Sequence, residues 1–169
     1  MDRTIAIGTL IHGTLRDQDL LPAFADELER VSIDSGSEAA EYRGVADIIR
    51  TARQVIKYMA AHDWDFESLP DDAYSEYIKC AAASLINEEL IDALQDYAPV
   101  HMYFGAIEGD GSDFGWWPSL DFDGCDTRSV PMNDGNDSID VTCGIYISTN
   151  DHGNVTVSEL RGEVIWAAV

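Results

Sequence analysis

The hydrophobic repeat of this chain changes period once, near residue 100, and that change limits the folds open to it. Ahead of the switch apolar residues recur every three or four positions, as on one face of a helix; beyond it they alternate, as on a strand. From about Asp17 to Val31, Leu20, Leu21, Phe24 and Leu28 fall at helical spacing, with Pro22 placed in the first turn, where a missing N–H does no harm. Ser35-Gly36-Ser37-Glu38 has the form of a capping box, and Val45, Ile48, Ile49, Ala52, Ile56 and Met59 trace the apolar face of a second helix ending near His62. Pro70 and Asp71 are expected to open a third helix running to Leu85, followed by a fourth segment that ends before Pro99. In that segment Ile86, Leu90, Ala93, Leu94 and Tyr97 share a face, and Glu88, Asp92 and Asp96 form an acidic stripe opposite it.

Beyond the switch, His101 to Ile107 is aromatic and β-prone, Gly109-Asp110-Gly111-Ser112 is a turn sequence, and Phe114 to Trp117 returns as the partner strand of a hairpin. Asp121 to Asp140 is polar and turn-rich and reads as a long loop. Val141, Cys143, Ile145 and Ile147 then alternate with polar or small residues, and two further strands follow across Asp151-His152-Gly153 and across Arg161-Gly162, giving a three-stranded meander. Helices first and antiparallel strands after predict an α+β fold, with N-terminal helices packed on a C-terminal antiparallel sheet. A single domain over 1–169 is expected, helical over about 15–98 and β over about 100–169.

Charge is the second constraint. The 32 Asp and Glu outnumber the 10 Lys and Arg, giving a formal charge of −22, well beyond the magnitude of roughly 2 to 8 that keeps a small domain soluble. Residues 61 to 140 hold 19 of the acids against Lys79 and Arg128 alone, a local −17. Such a field repels nucleic acid and anionic lipid and attracts basic protein surfaces. Along a regular helix the carboxylates of Glu88, Asp92 and Asp96 rise by about 6 Å per step, close to two phosphate steps of a DNA strand at roughly 3.4 Å each.

The residue patterns of common catalysts are missing. His12, His62, His101 and His152 lie far apart and none belongs to H-E-x-x-H; there is no G-x-S-x-G elbow, no phosphate-cradling G-x-x-x-x-G-K-[ST] and no G-x-G-x-x-G. Cys80 sits among Ala81, Ala82 and Ala83 and reads as packing rather than as a nucleophile. Asp121, Asp123 and Asp126, or Asp134 and Asp137, supply oxygen donors but not in the order of a calcium-binding loop, and read as solvated turn acids. No metal or other cofactor is expected, and no enzymatic activity. Cys80, Cys125 and Cys143 are odd in number without C-x-x-C spacing, and Met1-Asp2-Arg3-Thr4 lacks the layout of an export signal, so a cytoplasmic location is expected. No apolar run approaches the roughly 20 residues of a membrane helix, so no membrane partner is expected.

Three stretches carry a resemblance. His12-Gly13-Thr14-Leu15-Arg16 with Asp19-Leu20-Leu21-Pro22-Ala23-Phe24, then Tyr103-Phe104-Gly105-Ala106 with Gly109 to Trp116, and Asn150-Asp151-His152-Gly153-Asn154-Val155-Thr156 with Ile165-Trp166 together resemble a family of small proteins carried by phages and other mobile elements. That resemblance implies no catalytic residues. By analogy of class, it implies an anti-defence protein resembling DNA in charge, directed at a restriction enzyme or a CRISPR effector complex. The expected partner is the Lys/Arg-rich surface of a host nucleic-acid-binding protein, met by Asp63, Asp65, Glu67, Asp71, Asp72, Glu88, Glu89, Asp92 and Asp96. Two other readings are a small-ligand or enzymatic site on the Gly109–Trp117 hairpin with His101 or Tyr103, and a structural protein that self-associates through its aromatic strands.

Overall fold

Leu20, Leu21, Phe24 and Leu28 are all buried, so the apolar spacing that predicts the first helix also marks its core face. The structure is a computed structural model, and it describes residues 5, 7–35, 44–99 and 102–119 together with five strands between 127 and 168. The chain has the expected α+β architecture. Contacts within it cluster into two compact units that largely follow the helical and β halves of the sequence. One comprises Met1–Ile5, Thr9–Tyr97 and Phe104–Gly115, the other Ala6–Gly8, Ala98–Tyr103 and Trp116–Val169.

The first unit is mainly helical. Helix α1 (Asp17–Asp34) runs one turn further than predicted, and Pro22 lies in its second turn, not its first. The helix continues through Pro22 with one intrahelical bond forgone. Helix α2 (Val45–Ala60) starts from Gly44 at φ 66 rather than from a capping box. Ser35 closes α1 instead: its hydroxyl and its N–H both donate to the Val31 carbonyl, so it is spent on a C-terminus and cannot cap the next helix. The rest of the expected capping box, 36–38, falls outside the described residues. On α2, Val45, Ala52, Val55 and Met59 are buried while Ile48, Ile49 and Ile56 are only half-buried, which turns the core face toward Val55. Arg53 of α2 pairs with Asp26 and Glu29 of α1 and ties the two helices together.

Two successive left-handed residues, Asp63 (φ 52) and Trp64 (φ 58), end the α2 segment, with the Trp64 N–H donating to the Met59 carbonyl. Helix α3 (Ala73–Ser84) begins after Asp72, not at Pro70. The Asp72 carboxylate accepts from the Ser75 N–H at 2.7 Å and is the N-cap. This bond, with further help from the Ser75 hydroxyl, the Tyr74 N–H and the nearby His62, holds the Asp72 carboxyl below its ordinary range. A carboxyl with a lowered folded pKa stabilises the fold above its ordinary titration range and loses that effect as pH falls through the lowered value. Asp72→Ala is therefore expected to melt earlier than the parent at neutral pH, and thermal melts of the two should converge in strong acid.

Helix α3 passes into a π-helical turn, Leu85–Glu89, and then into α4 (Leu90–Gln95). The wider turn re-phases the two helical faces and lets Leu85, Ile86, Leu90, Ala93, Leu94 and Tyr97 all stay buried. Three strands, β1 (Gly8–Ile11), β2 (Met102–Ile107) and β3 (Asp110–Pro118), form an antiparallel sheet in the order β1-β3-β2. The reversal between β2 and β3 is tighter than the sequence predicts. It uses Glu108 and Gly109, with Gly109 at φ 93 where a side chain would be strained, and β3 already begins at Asp110. Phe24 of α1 meets Phe104 of β2 and Phe114 of β3, each with ring centroids 5.3 Å apart and edge-on, and so packs helix against sheet. β2 is an edge strand, and the Gln95 side chain accepts from its Phe104 N–H at 3.0 Å.

The second unit holds an antiparallel meander of five strands rather than three: β4 (Thr127–Ser129), β5 (Ser138–Asp140), β6 (Ile145–Thr149), β7 (Val155–Glu159) and β8 (Val164–Ala168). β4 and β5 lie inside the stretch expected to be loop. Three-residue strands carry too little alternation to register as a period, and their pairing, Arg128 opposite Ile139, is a tertiary matter. β6 starts at Ile145, and Val141 and Cys143 lie outside the described residues. The β7–β8 register shifts between Val157 and Ser158.

Candidate functional site

The ion pairs divide the first unit. On α1 and α2 every described arginine is engaged: Arg30 with Glu27 and Asp34, Arg53 with Asp26 and Glu29, and Arg50 with Asp47. Arg16, just ahead of α1, holds Asp19 at 2.8 Å. Thr14 donates to the same Asp19 carboxylate, and the two bonds keep its carboxyl below the ordinary range. Among the described residues Asp63, Asp65, Glu67, Asp71, Asp72, Glu76, Glu88, Glu89 and Asp92 enter no ion pair.

All nine residues expected to meet a partner are exposed. They fall into two groups. Asp63, Asp65, Glu67, Asp71 and Asp72 occupy the connection from α2 to α3, where Asp65 accepts from the Glu67 N–H and Asp72 caps α3. Glu88 and Glu89 lie in the π-helical turn, and Asp92 and Asp96 on α4 and at its C-cap. The expected stripe is altered here. Because Glu88 belongs to the wider turn, the regular 6 Å rise does not carry from Glu88 to Asp92, and the match to phosphate spacing holds at most between Asp92 and Asp96.

A row of rings lies beside the first acidic group. His62 and Tyr58 face each other at 4.4 Å, Tyr58 meets Tyr74 edge-on at 5.0 Å, and Tyr74 and Tyr77 are 6.2 Å apart. The Tyr58 hydroxyl bonds the Ser75 hydroxyl at 2.9 Å, and His62 Nδ1 lies 2.9 Å from the Tyr58 carbonyl, so the row is braced from behind. Tyr74 and Tyr77 are each 51% exposed. The sequence signal for them is spacing alone: the i, i+3 pair Tyr74–Tyr77 shares one face of α3, and His62 follows Tyr58 at i, i+4 just past the end of α2.

Protein-family models, curated proteins and solved structures contain no match to this chain.

On the hairpin the turn Glu108 to Gly111 is exposed, whereas its aromatic residues are at least half-buried. Trp116 is 2% exposed and Tyr103 half-buried, and His101 lies outside the described residues. At the hairpin tip Asp110 accepts from both the N–H and the hydroxyl of Ser112, bonds that, with His12 nearby, keep its carboxyl below the ordinary range. A shallow cavity of about 220 Å³ lies against Arg16, Asp17, Gln18, Trp64 and Phe66. Burial raises the Asp17 carboxyl there, while Arg16 is committed to Asp19. Among the described residues no three His, Cys, Asp or Glu side chains are grouped to hold a metal ion. Asp121, Asp123, Asp126, Asp134 and Asp137 all lie outside those residues. No described helix is long and apolar enough to cross a membrane.

Proposed function

We propose that this chain is a non-enzymatic inhibitor from a phage or mobile element that binds the cationic nucleic-acid channel of a host defence complex, of the CRISPR or restriction type. The observation that supports the reading is the separation of charge in the helical unit. Arginines are consumed in ion pairs on α1 and α2, and among the described residues the exposed carboxylates from Asp63 to Asp92 enter no ion pair. Like charges left together destabilise a fold slightly, and an outside cationic surface removes that penalty on binding. Recognition would rest on steering and on charge-assisted bonds from arginine to carboxylate. The resemblance to phage-borne proteins supplies the class of partner.

Cleavage by a panel of restriction enzymes and CRISPR effector complexes, titrated with this protein at low and high salt, tests the reading. Inhibition of at least one member is expected, relieved by excess duplex DNA and weakened steeply as salt rises. Inhibition that ignores salt, or none across the panel together with no capture of nucleic-acid-binding proteins from a host lysate at low salt, would sink it.

A further inference from the structure

The ring row His62–Tyr58–Tyr74–Tyr77 does no packing that its exposed half accounts for. Tyr74 and Tyr77 turn about half their surface to water on a helix whose core contacts are made by Ser75, Ile78 and Ala82. Two large aromatic side chains kept exposed side by side, the first edge-on to the half-buried Tyr58 that Ser75 holds, are a mark of a protein-binding surface. Charge narrows the partner. Asp71 and Asp72 directly precede the helix that carries Tyr74 and Tyr77, Asp63 follows His62, and Glu76 lies between the two tyrosines in sequence. Lys79 of the same helix sits roughly 140° from Tyr74 and 200° from Tyr77 around the axis, away from the ring row.

We infer that this row is the anchor of the interface, and that it receives arginine side chains of the partner, guanidinium planes lying on the tyrosine faces while their N–H groups reach the neighbouring carboxylates. Arginine rather than lysine is implied because a flat, weakly hydrated guanidinium stacks on a ring and still presents a fork to a carboxylate, which a compact ammonium does not. The inference rests on the proposed function and adds to it the residue type recognised and the residues that recognise it.

Titration of the full chain with an arginine homopeptide and a lysine homopeptide of equal length separates the two ideas. The parent chain is expected to bind the arginine peptide about tenfold more tightly. Tyr74→Ala/Tyr77→Ala should erase that preference and leave salt-sensitive binding to both peptides, while Tyr74→Phe/Tyr77→Phe, which keeps the rings, should retain it. Equal binding of the two peptides by the parent, or a preference untouched in the folded double-alanine variant, overturns the aromatic anchor and leaves the charge reading standing. Binding of neither peptide at low salt overturns both. Where circular dichroism shows that the double-alanine variant does not fold, the single variant Tyr77→Ala, at a position 51% exposed, carries the same test: an arginine preference that it leaves unchanged overturns the anchor.

Discussion

Replacing Phe24 by alanine is expected to destabilise the helical unit by about 3–5 kcal/mol, the range for emptying a large aromatic site in a core. Phe24 is fully buried and makes edge-on contacts with Phe104 and Phe114, so one substitution removes apolar burial from α1 and two ring contacts from the sheet. Each such ring pair contributes roughly 0.5–1.5 kcal/mol beyond area, and the cavity cannot close without moving a strand against a helix. A loss of this size lowers Tm by on the order of 10 °C or more, readable in a thermal melt followed by circular dichroism. A melt within a degree or two of the parent would mean that α1 does not pack on this sheet through Phe24.

The second large effect concerns binding. Glu88→Lys/Asp92→Lys should weaken association with an arginine homopeptide by about 30-fold or more at low salt, since two attractive charges become two repulsive ones near a cationic ligand. Both positions are exposed and outside any ion pair among the described residues, so the substitutions leave the core intact. Asp47→Lys serves as the control: Arg50 already offsets Asp47 at 2.7 Å, and reversing it should change binding far less. The losses should shrink together as salt is raised, because exposed charges are screened beyond a Debye length of roughly 8–10 Å. If the Asp47 variant weakens binding as much as the double reversal, net charge rather than the acidic surface of the α3–α4 region is what the peptide senses.

The acids and the rings act over different ranges. Charge acts at a distance and mainly sets the rate of encounter, whereas an aromatic row acts only in contact and discriminates between cations. A surface that combines them can attract any basic protein and retain the one whose arginines match its rings.

Much of the helical unit was legible in order and type. Leu20 to Leu28 repeat at 3.6 residues for long enough that periodicity alone located their buried face, and the exposure of Asp63 to Asp96 followed from carboxylates being almost never buried without a partner. Boundaries were less legible. Pro70 and Ser35 carry cap-like signals, but Asp72 and Gly44 are the residues that cap, because a cap is chosen by where the backbone reverses as well as by residue type.

What the sequence determined by itself was the division into helices and antiparallel strands, the core face of α1 and the excess of exposed acid, all of which depend on neighbours a few positions apart. Tertiary structure alone decided the pairing of β1 with β3 some hundred residues on, the strands β4 and β5, the π-helical turn that breaks the acidic stripe, and the ring row that brings Tyr58 of α2 to Tyr74 of α3. Each of these joins groups whose separation along the chain bears no fixed relation to their separation in space, and such contacts exist only once the backbone between them has been folded into place.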